Sequence, residues 1–342
     1  MCYSKRSVIA SAALGFVLAA TVAGAPAFAT DPAAAPAAKD LVGVGSDTAQ
    51  DVMGLEGSTL AKSGFGPRYN ATKPASRLWG YDVTGSASIT PKKGCAAIAR
   101  PNGSGAGIAA VKADEAAKTH CVDYARSSRP KVAATDGDLL FVPYARDGVS
   151  WATFPVSGTR FNAPANLTTA QLNSIYTCAV TNWNQVGGAS APISAYLPQA
   201  TSGTRSFFLG AIGVTSPGAC VKQPSALEEN SGAGIPAADR PAGILPYSIA
   251  KWIAQKKGVS KDNRAGAVLR NVDGKASLTT AGALNAKFAP KYLRLIYNVV
   301  KPADKGAAAF SKVFSKKGYL CKHPAVVTAF GFAALPAASC GY

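Results

Sequence analysis

Four short stretches combine hydroxyls and glycines where an apolar run gives way to a helical pattern: Ser46-Asp47-Thr48, Gly103-Ser104-Gly105, Ser127-Ser128-Arg129 and Ser202-Gly203-Thr204-Arg205. Hydroxyls and free backbone N–H groups with no charged nucleophile among them are the chemistry of anion recognition. The first turn of a helix leaves N–H groups unpaired and carries the positive end of the helix dipole, so each such start is a candidate anion cradle. Serine or threonine in that place is equally an ordinary N-cap, and a Gly-rich turn also serves simply to let a helix pack closely. Convergence separates the readings. If α/β topology brings the four turns to the carboxyl ends of strands over one cleft, they form a single site. Arg129 and Arg205 are the neighbouring arginines that could supply positive charge.

Catalytic chemistry is harder to assemble. No G-x-S-x-G nucleophile elbow and no GxxxxGK[ST] phosphate loop occurs, and the serine-rich turns have no obvious histidine base, His120 lying before Cys121 and His323 following Cys321-Lys322 near the end. Glu228 and Glu229 are adjacent, which points them apart on a helix and reads as a solvated pair rather than as general acid and base. Asp147 reads as an ion-pair partner of Arg146 or Arg160. No CxxC pair is present, so a metal site has little to stand on. Catalytic residues, metal ligands and cofactors are therefore all expected to be none.

The elements that must position the turns follow from local pattern. "DLVGVGSDTAQDVM" gives a strand, a tight turn and a helix, and "GSGAGIAAVKADEAAK" a Gly-rich turn opening a helix of good formers. "HCVDYARSSRP" is a short strand running into a polar turn, and residues 137–155 are two apolar runs around Asp147-Gly148, suited to a chain crossing between lobes. Thr168 and Gln171 fit a capping box before Leu172, Ile175 and Tyr176. Residues 242–258 read as strand then helix, with Ser248 near the helix start. Strands alternating with helices argue for an α/β architecture.

Export is legible at the start. Lys5 and Arg6, an apolar stretch and Ala27-Phe28-Ala29 read as a signal peptide over residues 1–29, cut after Ala29. Residues 30–38, rich in Ala and Pro, read as a disordered leader. Cys2 precedes the apolar stretch and leaves with it, so no lipid anchor is expected. The remaining six cysteines, Cys95, Cys121, Cys178, Cys220, Cys321 and Cys340, suit three disulfides in an exported chain. Spacing does not choose among the connectivities. Sequential pairing is the expectation adopted, closing three local loops, each within one lobe, and leaving any hinge free.

The formal charge of +18 falls to +16 without Lys5 and Arg6 and favours anionic partners or an anionic envelope. The basic residues are scattered, in short groups such as 254–258 and 314–318, so no nucleic-acid partner is expected. A mature chain of roughly 313 residues predicts two lobes or domains.

The motifs "VGVGSDTAQDVM", "GSGAGI", "DYARSSR", "TNWNQVGG" and "LPQATSGTRSFFL", in that order, resemble the phosphate-binding proteins of ABC transporters, of the type II periplasmic-binding-protein fold. The resemblance spans residues 41 to about 255. It implies two α/β lobes joined by two crossing strands around an interlobe cleft: residues 39–146 and 247–342 in lobe 1, and 147–246 in lobe 2. It also implies a ligand shell of Ser46 or Thr48, Ser104, Ser127, Ser202, Gly203 and Thr204, with Arg205 or Arg129 for charge. Phosphate-specific members carry an aspartate in the third turn, where this chain has Ser127-Ser128-Arg129; Asp47 is the candidate replacement acceptor.

The expected function is capture of inorganic phosphate or a related oxyanion, by a protein expected to be monomeric, for an ABC-transporter permease. The expected location is extracellular, periplasmic or in the cell wall. The alternative is a secreted adhesion or cell-envelope-binding protein that kept the fold without solute capture.

Overall fold

A computed structural model describes Met1, residues 31–55 and residues 58–342. The signal-peptide reading, with Lys5, Arg6 and the Ala27-Phe28-Ala29 cleavage site, therefore lies outside the described residues. Residues 31–38 do not behave as a free leader. Asp31 pairs with Arg100 at 2.7 Å and accepts from the Asp82 N–H at 3.0 Å, and the Pro36 carbonyl accepts from Lys93 N at 2.7 Å.

Among the described residues the frame is one mixed sheet of nine strands. Its strands are β1 (Leu41–Gly45), β2 (Leu78–Gly80), β3 (Tyr124–Ser127), β4 (Leu140–Thr153), β5 (Ser194–Ala195), β6 (Gly243–Ser248), β7 (Val268–Leu269), β8 (Leu293–Val300) and β9 (Ala333–Ala334). The order is β2-β1-β3-β8-β4-β6-β5, with β7 and β9 also paired to β4. β1 is parallel to both neighbours and buried throughout, so its LVGVG sequence is apolar without alternation. The long strand β4 belongs to both halves of the sheet. Its first part pairs with β8, from Val300 opposite Leu140 to Leu293 opposite Gly148, and its last five residues pair with β6. The β8 register shifts beside Pro143, whose ring leaves no N–H for the ladder.

Helices follow the strands where the sequence predicts: α1 (Asp47–Met53) after β1, α2 (Gly103–Ala117), α3 (Thr169–Tyr176), α4 (Gly203–Ile212) and α5 (Ile249–Lys256) after β6. Thr168 and Gln171 form the capping box of α3, and Ser248 caps α5 by accepting from Lys251 N. Among the described residues no helix is long and apolar enough to cross a membrane.

Two bodies of core flank the crossing. In the first, Val52, Phe65, Tyr124, Ile296 and Phe314 pack on one face of the sheet, and Val44, Ile108 and Val299 pack beneath α2 on the other. α2 lies close because Gly107 leaves no side chain: a Cβ there would stand 2.8 Å from Gly45 Cα. In the second body, Trp151, Leu172, Tyr176, Phe208, Ile244 and Tyr292 form one cluster. Residues 267–292, placed with lobe 1 in the sequence reading, pack in this second cluster, because β7 pairs with the far half of β4 and carries Ala267 and Leu269 into it. Cys95–Cys121, Cys178–Cys220 and Cys321–Cys340 are disulfide-bonded.

Candidate functional site

β1 delivers Ser46 and Thr48 to the start of α1, and the turn before α4 delivers Ser202, Gly203 and Thr204 from the other body. Ser104 lies in the first turn of α2, and Ser128 follows β3. These turns meet. The Thr48 and Thr204 hydroxyls are 3.1 Å apart, those of Ser104 and Ser128 3.2 Å, and the Ser104 hydroxyl accepts from Ser128 N at 3.0 Å. Gly203 sits against both serines: a Cβ there would lie 2.2 Å from Ser104 Oγ and 2.5 Å from Ser128 Oγ. Gly105 N donates to the Thr201 carbonyl at 3.0 Å, closing the seam from another direction.

At the meeting point is a carboxylate of the chain itself. Glu229 is 1% exposed. Its Oε1 accepts from Ser46 Oγ at 3.3 Å and Thr48 N at 3.4 Å, and its Oε2 from Ser202 Oγ at 2.6 Å and Thr204 N at 3.0 Å. Ser202 also caps α4, accepting from Arg205 N at 3.1 Å. One hydroxyl thus caps the helix through its lone pair and donates its proton to a carboxylate of the chain itself. The reading of Glu228 and Glu229 as a solvated pair does not hold. The segment is not helical there, and Glu228 also turns inward, accepting from Asn102 Nδ2 at 2.7 Å.

Positive charge comes from an unexpected place. Arg294, at the start of β8, donates to Thr204 Oγ1 at 3.1 Å and to the Ser128 carbonyl at 2.8 Å. It also binds Asp147 Oδ2 through Nε and Nη2 at 3.1 and 2.8 Å. Asp147 is therefore the partner of Arg294 rather than of Arg146 or Arg160, and the Ser248 hydroxyl and Ala250 N complete its shell. The arginines chosen from the sequence are engaged elsewhere. Arg129 makes a two-pronged pair with Asp136 at 2.7 and 2.8 Å, and Arg205 donates to the Pro198 carbonyl and to Gln223. Ser127 turns back on its own loop, donating to the Arg129 carbonyl at 2.9 Å.

A second layer surrounds Asp47. Lys251 from α5 reaches Asp51 at 2.6 Å and Asp47 at 3.4 Å. Burial pushes the Asp47 carboxyl up to about 6; Lys251 opposes the rise, and the nearby Glu229 and Asp51 charges add to it. Burial likewise pushes Glu228 up to about 7, against the Asn102 hydrogen bond. Burial alone would lower Lys251, but its two aspartates hold it above the ordinary lysine value. Asn230 ties this layer to the site, donating to Thr48 Oγ1 at 2.9 Å and Asp47 Oδ2 at 3.2 Å. Beneath β1 the buried Arg126 guanidinium donates to the carbonyls of Gly43, Gly45, Ser46 and Tyr81 and so fixes the first turn from below. Among the described residues no three of His, Cys, Asp and Glu gather as ligands for a metal ion.

Hydroxyls, two helix-start N–H groups and a nearby guanidinium, closed around a carboxylate, can recognise an oxyanion by charge-assisted hydrogen bonds.

Residues 30–317 match the family model described as the PBP superfamily domain. Among curated proteins no sequence matches. Two solved structures are similar in fold. One, from Clostridium perfringens and solved with bound phosphate, is described as a phosphate ABC transporter substrate-binding protein; it is 18% identical, with a TM-score of 0.58, over 87% of this chain and 100% of that one. The other is an ABC-type phosphate transport receptor from Vibrio cholerae, 20% identical, with a TM-score of 0.54, over 87% of this chain and 100% of that one. These likenesses establish a mixed α/β fold of the type II periplasmic-binding-protein kind.

Proposed function

Since the chain belongs to the PBP superfamily, we propose that it is an exported solute-binding protein that captures phosphate or a related oxyanion and presents it to an ABC-transporter permease. One observation carries this reading. Donors from two separately packed bodies, Ser46 and Thr48 on one side and Ser202 and Thr204 on the other, converge on a single negatively charged group. A site that binds a carboxylate through four donors has the chemistry to bind another oxyanion, and its position between two bodies lets closure desolvate the ligand and strengthen each bond. The two solved relatives, one of them holding phosphate, make phosphate the first ligand to try. Binding from an exported location would take the signal peptide at residues 1–29 and the three disulfides together.

The test is calorimetric titration of the mature protein, stripped of phosphate by unfolding and refolding with its disulfides intact, against phosphate, sulfate and arsenate. Saturable binding of at least one oxyanion is expected. Hydrogen bonds to a charged group are worth about 1.5–3 kcal/mol each, so on a Glu229→Ala background, where the chain's own carboxylate does not share the loss, Ser46→Ala combined with Ser202→Ala should weaken binding by at least ~100-fold. The reading fails if no oxyanion binds the wild type, or if the double variant binds as tightly.

A further inference from the structure

The donors that would grip an oxyanion are already in use. Ser46 Oγ has one proton and Thr48 N and Thr204 N one each, and all three are directed at Glu229, as is the Ser202 hydroxyl. A phosphate cannot share them, and a dianion beside the Glu229 carboxylate, with Asp47 close by, would meet strong like-charge repulsion. Binding at these donors therefore has to be an exchange.

We propose that Glu229 is an internal competitor for the oxyanion site: a tethered carboxylate that holds the two bodies closed without ligand and sets the minimum binding strength a ligand must exceed. The inference rests on the oxyanion-capture reading and adds a specificity-determining residue to it.

The tether is well defined. Asn230, the next residue, is fixed by Tyr247 Oη and Gln255 Nε2 donating to its carbonyl, by Ser248 N donating to its Oδ1, and by its own amide on Thr48 and Asp47. Its backbone takes a positive φ of 59°. With Asn230 anchored, Glu229 leaves by rotating its side chain rather than by unfolding the segment. Because it is buried between the two bodies, rotation requires them to part. Exchange and opening are then one event.

The consequence for ligand choice is physical. A tethered group acts at an effective concentration of the order of millimolar or more, so a free monocarboxylate, which offers the same two oxygens and one charge, gains nothing by entering. A tetrahedral dianion brings more acceptor oxygens and a second charge towards Arg294 and the α4 start, and can displace it. The apparent affinity of such a ligand is its intrinsic affinity reduced by the fraction of molecules with Glu229 withdrawn.

The experiment compares wild type, Glu229→Gln and Glu229→Ala by phosphate titration and by small-angle scattering of the ligand-free proteins. Both variants should bind phosphate at least tenfold more tightly than wild type. Ligand-free Glu229→Ala should be more extended than wild type and should compact on adding acetate, which replaces the missing carboxylate. Wild type should be compact with and without phosphate. If wild type binds phosphate and both variants bind it equally or more weakly, Glu229 is a ligand group or a bystander; the competitor inference falls and oxyanion capture stands. If none of the three binds any oxyanion, both fall together.

Discussion

Gly203→Ala places a methyl group at the tightest point between the two bodies. The new Cβ would stand 2.2 Å from Ser104 Oγ, 2.5 Å from Ser128 Oγ and 3.0 Å from Ser104 Cβ, where ordinary contact begins near 3.4 Å. The backbone of Gly203 tolerates alanine, since its φ is not in the left-handed region; the whole penalty is contact. Rotating Ser104 aside would give up its bond from Ser128 N and leave that buried N–H unpaired, at about 1–3 kcal/mol. Keeping Ser104 in place requires the bodies to move apart by roughly an ångström, and overpacking of this kind costs about 1–3 kcal/mol. That movement also stretches Thr48–Thr204 and Gly105–Thr201. The variant should therefore lose about 1–3 kcal/mol in urea denaturation or, if the bodies simply separate, keep its stability and become more extended in small-angle scattering. An unchanged midpoint together with an unchanged radius of gyration would show that the seam is not closed at Gly203, and the geometry argued for the site would be wrong.

Other outcomes follow from the charges around the seam. Arg294→Met leaves the buried Asp147 carboxylate without its cation and should cost about 3–5 kcal/mol, with a substantial part regained in Arg294→Met combined with Asp147→Asn; urea denaturation of the three variants checks this. Asp47 has a folded pKa near 6 against an ordinary value of 3.8, so the fold favours its protonated form. Stability should accordingly fall as pH rises from about 4 to 6, by at most ~3 kcal/mol from this group, and level off above. Glu228, at about 7, extends the same trend. Asp47→Asn, which leaves Lys251 its 2.6 Å pair with Asp51, should remove the Asp47 share of the fall between pH 4 and 6 and leave the Glu228 share between about 4.5 and 7; identical pH profiles for variant and wild type would overturn the assignment.

The hydroxyl turns were legible because each is a local event, an apolar strand ending in Ser, Thr and Gly before a helix, and alternating strands and helices bring such ends together. The charge was not. Arg129 and Arg205 drew attention by sequence adjacency to the hydroxyls, but adjacency in a turn does not direct a side chain, and each found a nearer partner. Arg294 stands 90 positions from Thr204, in a strand whose pattern says only that it is half buried. Glu229 was misread for a similar reason. Its partners come from positions 46, 48, 202 and 204, and nothing local distinguishes an inward carboxylate from a solvated one. A weak signal did exist: the chain has few acids, and two adjacent glutamates precede Asn230-Ser231-Gly232, where the chain turns before a short 3-10 helix at Gly232–Gly234. The placement of residues 267–292 failed because the two-residue strand β7 is too short to announce which half of β4 it joins.

Strand β4 has a further consequence. Fourteen residues long, it supplies ladder partners to β8 in one half of the sheet and to β6 and β7 in the other. Neither half can melt while the other stays intact without breaking a strand common to both. Although the molecule has two bodies of core, heating should produce one calorimetric transition, with van't Hoff and calorimetric enthalpies in agreement. The same continuity means that a cut within β4 would not release a folded half, since each fragment would lack a strand from its own sheet.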